Sequence, residues 1–162
     1  MKNLGATCYM NSLLQQFSMV PDFMRGMLAL RLDGEPGEDG VGASGAIDGA
    51  GKEGAAEPSQ QELECMSLLS QVQTTLCYLG ASEKRYFDTS ELCSAYKDYD
   101  GQPVNTSVQM DVDEFFITLF DKLELALKRT PHANLLKELF GGVTVSQVIG
   151  KSDCCTHTSE RD

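Results

Sequence analysis

Basic side chains are scarce in this sequence, and their scarcity limits the partners it can bind. The 162 residues include 13 lysines and arginines against 24 aspartates and glutamates, which gives a formal net charge of −11. Phosphate binding needs clustered Lys and Arg, so this balance argues against nucleic acid as the main partner. An acidic surface either suits a basic partner or simply keeps the protein solvated.

Long apolar runs and disulfide spacing are also absent. No apolar run approaches the roughly 20 residues that a membrane-spanning helix requires, so no membrane partner is expected. The opening Met1-Lys2-Asn3 leads straight into a Gly-Ala-Thr-Cys turn, which is not the pattern of a secretory signal peptide. The six cysteines show no framework spacing. We therefore expect free thiols in a reducing intracellular compartment, the cytoplasm, the nucleus or both.

One internal segment has too little apolar character to fold. Residues 33–58 contain eight glycines, five alanines and two prolines, with aspartate and glutamate between them. Such a segment cannot bury enough apolar surface to offset the entropy of ordering it. It is predicted to be a disordered insertion, either a tolerated surface loop or a segment that docks a partner.

Apolar residues at helical spacing dominate the rest of the chain. The first predicted helix follows the N-cap Thr7, and two more span residues 21–32 and 60–79. A short helix capped by Asp88 or Thr89 ends at Tyr96. A long helix runs through Leu127, with Thr106 and Gln109 as its candidate capping box. Residues 142–149 alternate like a strand. The sequence thus predicts a mainly α fold with a first β-strand near the C-terminus.

Cys8 lies in the first turn of the first predicted helix. Unpaired backbone N–H groups and the helix dipole favour a thiolate there, which is the setting a nucleophilic cysteine needs. Gly5 lets the backbone come close to a substrate, and Asn3 could offer its side-chain amide to an oxyanion. On spacing alone, a buried structural cysteine remains the alternative.

Two motifs resemble those of one enzyme family. Residues 3–16, N-L-G-A-T-C-Y-M-N-S-L-L-Q-Q, closely resemble the cysteine box of the ubiquitin-specific proteases, which are papain-like deubiquitinases. Residues 109–116, Q-M-D-V-D-E-F-F, resemble the second box of that family, usually written Q-Q-D-A-Q-E-F. Their order, and the roughly hundred residues with a variable loop between them, also suit the family. The combination of Met110 in place of the second Gln with Asp-Glu-Phe-Phe at residues 113–116 is most similar to the very large members related to fat facets.

The resemblance implies a place in the fold and a role for each matching residue. Residues 1–162 would be part of a catalytic domain, the helical thumb of a papain-like α+β cysteine protease and the start of its fingers. Cys8 would be the nucleophile and Asn3 the oxyanion donor. Gln109 and Asp111 would line the channel for the basic C-terminal tail of ubiquitin, where a carboxylate can accept from arginine. The alternative for Asp111 is an acid that the helix dipole stabilises.

The sequence offers two histidines as catalytic base, and neither fits. A cysteine protease needs a base and a group that orients it, which the family supplies far downstream of the second box. His132 follows Pro131 at a helix end, and His157 closes Cys-Cys-Thr-His where the family begins its fingers, so we reject both. The adjacent Cys154 and Cys155 break the C-x-x-C pattern of zinc ligands. No metal and no cofactor are expected.

The leading hypothesis is a thiol isopeptidase that cleaves ubiquitin from protein conjugates through an acyl-enzyme at Cys8. Its partners would be ubiquitin and ubiquitinated proteins. Without a base, the 162-residue chain is predicted to be inactive alone, as a fragment of the catalytic domain. The alternatives are a non-catalytic ubiquitin-binding or scaffolding module and, third, a helical interaction domain unrelated to proteases.

Overall fold

The computed structural model describes residues 1–30, 58–98, 101–151 and 157–161. Over these ranges the elements are α1 Cys8–Ser18, α2 Pro21–Ala29, α3 Gln60–Ala81, α4 Ser90–Ala95, α5 Val112–Leu127, α6 Leu135–Phe140, β1 Ser146–Ile149 and β2 Thr158–Arg161. The predicted mainly α fold with a strand near the C-terminus is confirmed. The insertion predicted over 33–58 lies, except for Pro58, outside the described residues.

The hydrophobic core lies where α1, α3 and α5 meet, and α3 packs most extensively on α5. Its largest fully buried side chains are Met10, Leu14, Phe23, Met27, Leu68, Leu69, Leu76, Tyr96, Phe115, Leu119, Leu123 and Leu127. Five phenylalanine rings, from Phe17, Phe23, Phe116, Phe120 and Phe140, form one cluster with centroids 4.2–6.1 Å apart. This cluster joins α1, α2, α5 and α6.

Helices α1 and α5 run side by side in the same general direction. Tyr9, in the first turn of α1, meets the ring of Phe115, in the first turn of α5, at 5.2 Å. Further along, Phe17 of α1 meets Phe120 of α5 at 5.5 Å. The N-terminal ends of the two helices therefore lie together.

Several predicted helix bounds need correction. α2 ends at Ala29 rather than Leu32, because Leu30 already has extended backbone angles. α5 begins at Val112 with Asp111 as its N-cap, so Thr106 and Gln109 do not form its capping box. A capping box occurs instead at the start of α3, where the Ser59 side chain accepts from the Glu62 N–H and the Glu62 side chain accepts from the Ser59 N–H.

The buried face of α3 also differs from the prediction. The apolar spacing predicts a buried stripe of Leu63, Met66, Leu69, Val72, Leu76 and Leu79, but Leu63 is 47% exposed. Most steps of that stripe are three residues, and each such step falls about 60° short of a full turn. The face that does pack inward mixes steps of three and four residues. It consists of Cys65, Leu68, Leu69, Val72, Thr75 and Leu76.

The strand predicted over 142–149 forms only at Ser146–Ile149. It pairs antiparallel with β2, which the sequence pattern did not predict, in a register that places Val148 opposite Ser159. None of the helices in the described ranges combines the length and apolar character that a membrane crossing demands.

Candidate functional site

Cys8 is the first residue of α1, and its thiol is free and exposed. The Asn11 N–H donates to the Thr7 carbonyl at 3.0 Å, the first hydrogen bond of the helix. The N–H groups of Cys8, Tyr9 and Met10 precede that bond, so they carry the positive end of the helix dipole. The predicted position of Cys8 in a first helical turn is confirmed, and the thiol is open to a substrate.

Thr7 occupies the N-cap position of α1 but does not cap the helix with its side chain. Its backbone angles, φ −96° and ψ 14°, differ from the extended geometry of a capping residue. The completely buried Thr7 instead donates to Asn3 Oδ1 twice, from its N–H at 3.2 Å and from Oγ1 at 2.9 Å. Oγ1 also accepts from the Leu4 N–H at 3.1 Å. Thr7, which was predicted to cap the helix, therefore stabilises the loop before it through hydrogen bonds with Asn3 and Leu4.

These bonds fix which way the Asn3 amide faces. A backbone N–H can only donate, so the Asn3 atom that faces Thr7 must be the carbonyl oxygen. The amide nitrogen Nδ2 then lies on the other edge of the group. Asn3 is exposed, and no acceptor for its Nδ2 occurs among residues 1–30, 58–98, 101–151 and 157–161. An oriented, unused donor is what stabilisation of an oxyanion requires.

The loop before Cys8 is fastened to the segment that leads into α5. The Ala6 N–H donates to the Thr106 carbonyl oxygen at 2.7 Å, and a Cβ on Gly5 would lie 2.5 Å from the same oxygen. Gly5 has φ +120°, which L side chains rarely adopt. The close approach that Gly5 permits is thus to the protein's own backbone, whereas the sequence suggested an approach to substrate.

The chain before Asn3 has anchors of its own. The Lys2 N–H donates to the Phe87 carbonyl at 2.8 Å, and the Lys2 ammonium pairs with Asp88 at 3.1 Å. That lysine, followed by the Ser90 N–H, lowers the pKa of the Asp88 carboxyl. Asn11, which is buried in α1, donates from Nδ2 to the Lys2 carbonyl at 3.2 Å. Sequence reasoning missed Asn11, although its place one turn after Cys8 in the cysteine box was a signal.

Gln109 and Asp111 are both exposed on the approach to α5. Asp111 Oδ1 accepts from the Asp113 N–H at 2.8 Å, so the carboxylate serves as the N-cap. Its second oxygen has no partner within the described part of the chain. Cys8 at the start of α1 and Asp111 at the start of α5 thus lie on two helix starts that contact each other through Tyr9 and Phe115, and Gln109 lies just before the second of them. A substrate role for Gln109 and Asp111 stays a prediction.

Tyr9 follows the thiol but faces inward, and no role was predicted for it. Its ring is buried edge-on against Phe115. Burial raises the pKa of its hydroxyl, with smaller contributions from Cys93 and Cys8. Tyr9 therefore keeps its proton and acts in packing, which holds the first turn of α1 against the first turn of α5.

Among the described residues, no contact joins His132 or His157 to Cys8. His132 is exposed in the turn after α5, so the 16 residues of that helix, about 24 Å of rise, separate it from the end at Asp111. His157 is exposed immediately before β2. Within the described ranges no three His, Cys, Asp or Glu residues converge as metal ligands. Cys154 and Cys155 lie outside those ranges.

Comparisons with known proteins agree on one family. The family model described as ubiquitin carboxyl-terminal hydrolase matches residues 1–158. Ubiquitin carboxyl-terminal hydrolase 9X of Mus musculus is 30% identical over 177 residues, which covers 99% of this chain and 7% of that protein. The probable ubiquitin carboxyl-terminal hydrolase FAF of Drosophila melanogaster is 31% identical over 185 residues, covering 100% of this chain and 6% of that protein. Ubiquitin carboxyl-terminal hydrolase puf of the same organism is 32% identical over 157 residues, with 97% and 3% covered. The chain thus spans less than a tenth of the length of these relatives.

Proposed function

The chain belongs to the ubiquitin carboxyl-terminal hydrolase family, and from that membership we propose that it supplies the nucleophile of a cysteine-type deubiquitinase. The observation that carries the proposal is the exposed Cys8 thiol at the N-terminus of α1, inside the matched span. We also propose that the described helices are the thumb of the catalytic domain.

The proposed reaction is acyl transfer in two steps. The Cys8 thiolate attacks the carbonyl carbon of the C-terminal residue of ubiquitin, and an S–C bond forms as the carbonyl oxygen becomes an oxyanion. The oxyanion collapses, the C–N bond breaks, and the lysine amine leaves with the proton that the base removed from the Cys8 thiol. Water then attacks the thioester, which releases ubiquitin and restores the thiol. The base and acid of these steps are assigned to neither His132 nor His157.

The developing oxyanion would be held by two kinds of donor. One is the Nδ2 of Asn3, which stays available because the bonds from Thr7 engage Oδ1 instead. The other is the set of backbone N–H groups in the first turn of α1, at the positive end of its dipole. Removal of one such donor commonly lowers kcat by about 10²–10³-fold.

Recognition of ubiquitin would use the neighbouring end of α5. The free oxygen of Asp111 could accept a charge-assisted hydrogen bond from an arginine of the basic ubiquitin tail. Gln109, also exposed, could bind the tail backbone through its amide. The proposed partners are ubiquitin and ubiquitinated proteins in the cytoplasm, the nucleus or both.

The proposal is tested with ubiquitin that carries a C-terminal electrophile, incubated with the full-length protein. We expect one covalent adduct, which Cys8→Ala abolishes. Cys77→Ala is the matched control, because Cys77 is also an exposed free thiol but lies on α3. An adduct that survives Cys8→Ala would assign the nucleophile elsewhere. Ubiquitin binding without any adduct would favour the non-catalytic binding module.

A further inference from the structure

We propose that Thr7 is a positioning residue, whose hydroxyl holds the Asn3 side chain so that its Nδ2 faces the oxyanion. This inference rests on the proposed function, since it gives Asn3 the role of oxyanion donor. It assigns to Thr7 a task that its position before a helix does not suggest. A threonine there would ordinarily be interpreted as a cap.

The hydrogen bonds of Thr7 exclude that ordinary role. Its side chain makes no capping bond to α1. Both donors of the residue, N–H and Oγ1–H, point to the same atom, Asn3 Oδ1, at 3.2 and 2.9 Å. The remaining capacity of the hydroxyl accepts from the Leu4 N–H at 3.1 Å. The hydroxyl therefore links the Asn3 side chain to the backbone beside it.

Two bonds on one oxygen determine the orientation of a planar amide better than one. With the N–H bond alone, the Asn3 side chain could still turn about the N–H···O contact. The hydroxyl bond restricts that rotation, whereas the N–H bond already selects the amide flip in which Oδ1 faces Thr7. A donor fixed in advance costs no reorganisation when the oxyanion forms, which is the source of its effect on rate.

The site is also rigid enough for the restriction to matter. Thr7 is completely buried, although Asn3 and Cys8 on either side of the loop are exposed. Asn11 fixes the Lys2 carbonyl at 3.2 Å, immediately before Asn3. Thr106 fixes the Ala6 N–H at 2.7 Å, immediately before Thr7. Both ends of the segment that carries the donor are therefore anchored on α1 and on the approach to α5.

The experiment compares Thr7→Val, which keeps the shape and removes the hydroxyl, with Thr7→Ser, which keeps the hydroxyl. Hydrolysis of a ubiquitin C-terminal amide by the full-length protein gives kcat and KM for each. We expect Thr7→Val to lower kcat about tenfold or more, toward the roughly 10²–10³-fold loss of Asn3→Ala, with KM little changed. Thr7→Ser should recover most of kcat, which separates the hydroxyl from the packing of the residue.

A double variant distinguishes positioning from a general structural role. If Thr7 acts through Asn3, then Asn3→Ala/Thr7→Val should be about as slow as Asn3→Ala alone, whereas independent losses would multiply. Alkylation of Cys8 by iodoacetamide develops no oxyanion, so its rate should be unchanged in Thr7→Val.

Multiplying losses, or a Thr7→Val variant with full kcat, would overturn the inference. If Thr7→Val does not fold, a Thr7→Ser variant as slow as Asn3→Ala would overturn it equally. A wild-type protein that hydrolyses no ubiquitin amide would instead refute the proposed function.

Discussion

Among the glycines in the described residues, Gly5 is the one that combines a positive φ with a close backbone contact. Its φ of +120° is strained for any L side chain, and an added Cβ would lie 2.5 Å from the Thr106 carbonyl oxygen. Backbone oxygen cannot move aside as a flexible side chain can. Gly5→Ala would therefore push the loop that carries Asn3 and Thr7 away from the approach to α5.

We expect Gly5→Ala to lower the free energy of unfolding by about 2–4 kcal/mol, as the sum of left-handed strain and a backbone clash. Denaturant titration of the 162-residue chain measures it. Gly101→Ala is the matched control, because Gly101 also has positive φ, +76°, but nothing lies within 4 Å of its added Cβ. It should cost only the strain, about 1–2 kcal/mol. Equal losses in the two variants would show that the Thr106 contact does not matter.

The same residues show where sequence reasoning about the site stops. The cysteine box placed Cys8 in a first helical turn, because that depends on local pattern. The pattern did not show that Thr7 binds Asn3 rather than capping α1, since either partner lies within its reach. Nor did it show that Gly5 faces Thr106, a contact across about a hundred residues. The first was a choice between two local partners of Thr7, and the second was decided by a tertiary contact.

At the scale of elements, the sequence pattern alone did not decide which of two candidate capping boxes forms. Both Ser59-x-x-Glu62 and Thr106-x-x-Gln109 have the pattern of a capping box, and only the first forms one. The Thr106 carbonyl is occupied by the Ala6 N–H, and the chain forms a turn there, in which the Val108 N–H donates to the Asn105 carbonyl, before it reaches Asp111. The presence of the helices was predictable from the apolar period, and α1, α3 and α4 lie close to their predicted bounds, although the buried face of α3 was not predicted correctly.

Glu62 joins two of these elements through its charge. Arg129, just beyond α5, donates to Glu62 Oε1 from Nε at 3.1 Å and to Oε2 from Nη2 at 3.0 Å. The pKa of Glu62 is lowered, first by the hydrogen bond from the Ser59 N–H and then by Arg129. A lowered folded-state pKa means that the ionised form stabilises the folded protein.

Glu62→Gln should therefore destabilise the chain at neutral pH, and the difference from wild type should vanish in acid. The contribution is complete above the pKa of an unfolded glutamate and is lost as pH falls through the lower folded-state pKa. Glutamine can still accept from the Ser59 N–H, so the comparison isolates the charge. Unfolding titrations from neutral pH into acid measure the difference. Glu83→Gln, at an exposed site with no ion pair among the described residues, is the control, and a difference constant with pH would contradict the prediction.

The molecule as a whole divides into a packed helical body and a hairpin with little packing. The side chains of β1 are all exposed, including Val148 at 66% and Ile149 at 59%. In β2 only Ser159 is partly covered. The alternation over 142–149 predicted a strand but did not predict a buried face. Alternation alone cannot tell which face of a strand another element covers. A lone two-stranded hairpin is marginally stable in water.

Amide hydrogen exchange of the 162-residue chain should therefore separate the two parts. Amides of α3 and α5 around Leu69, Leu76 and Leu123, all fully buried, should exchange only on global unfolding. Amides of β1 and β2 should exchange orders of magnitude faster, because the hairpin can open while the helical core stays folded. Mass spectrometry of peptides over 146–151 and 157–161, against peptides over 68–76 and 115–127, makes the comparison within one sample.

Protection of the hairpin equal to that of α3, and independent of protein concentration, would mean that the strands share the cooperative core. Protection that rises with concentration would mean that exposed residues such as Val148 pair between chains, as an uncovered apolar strand favours.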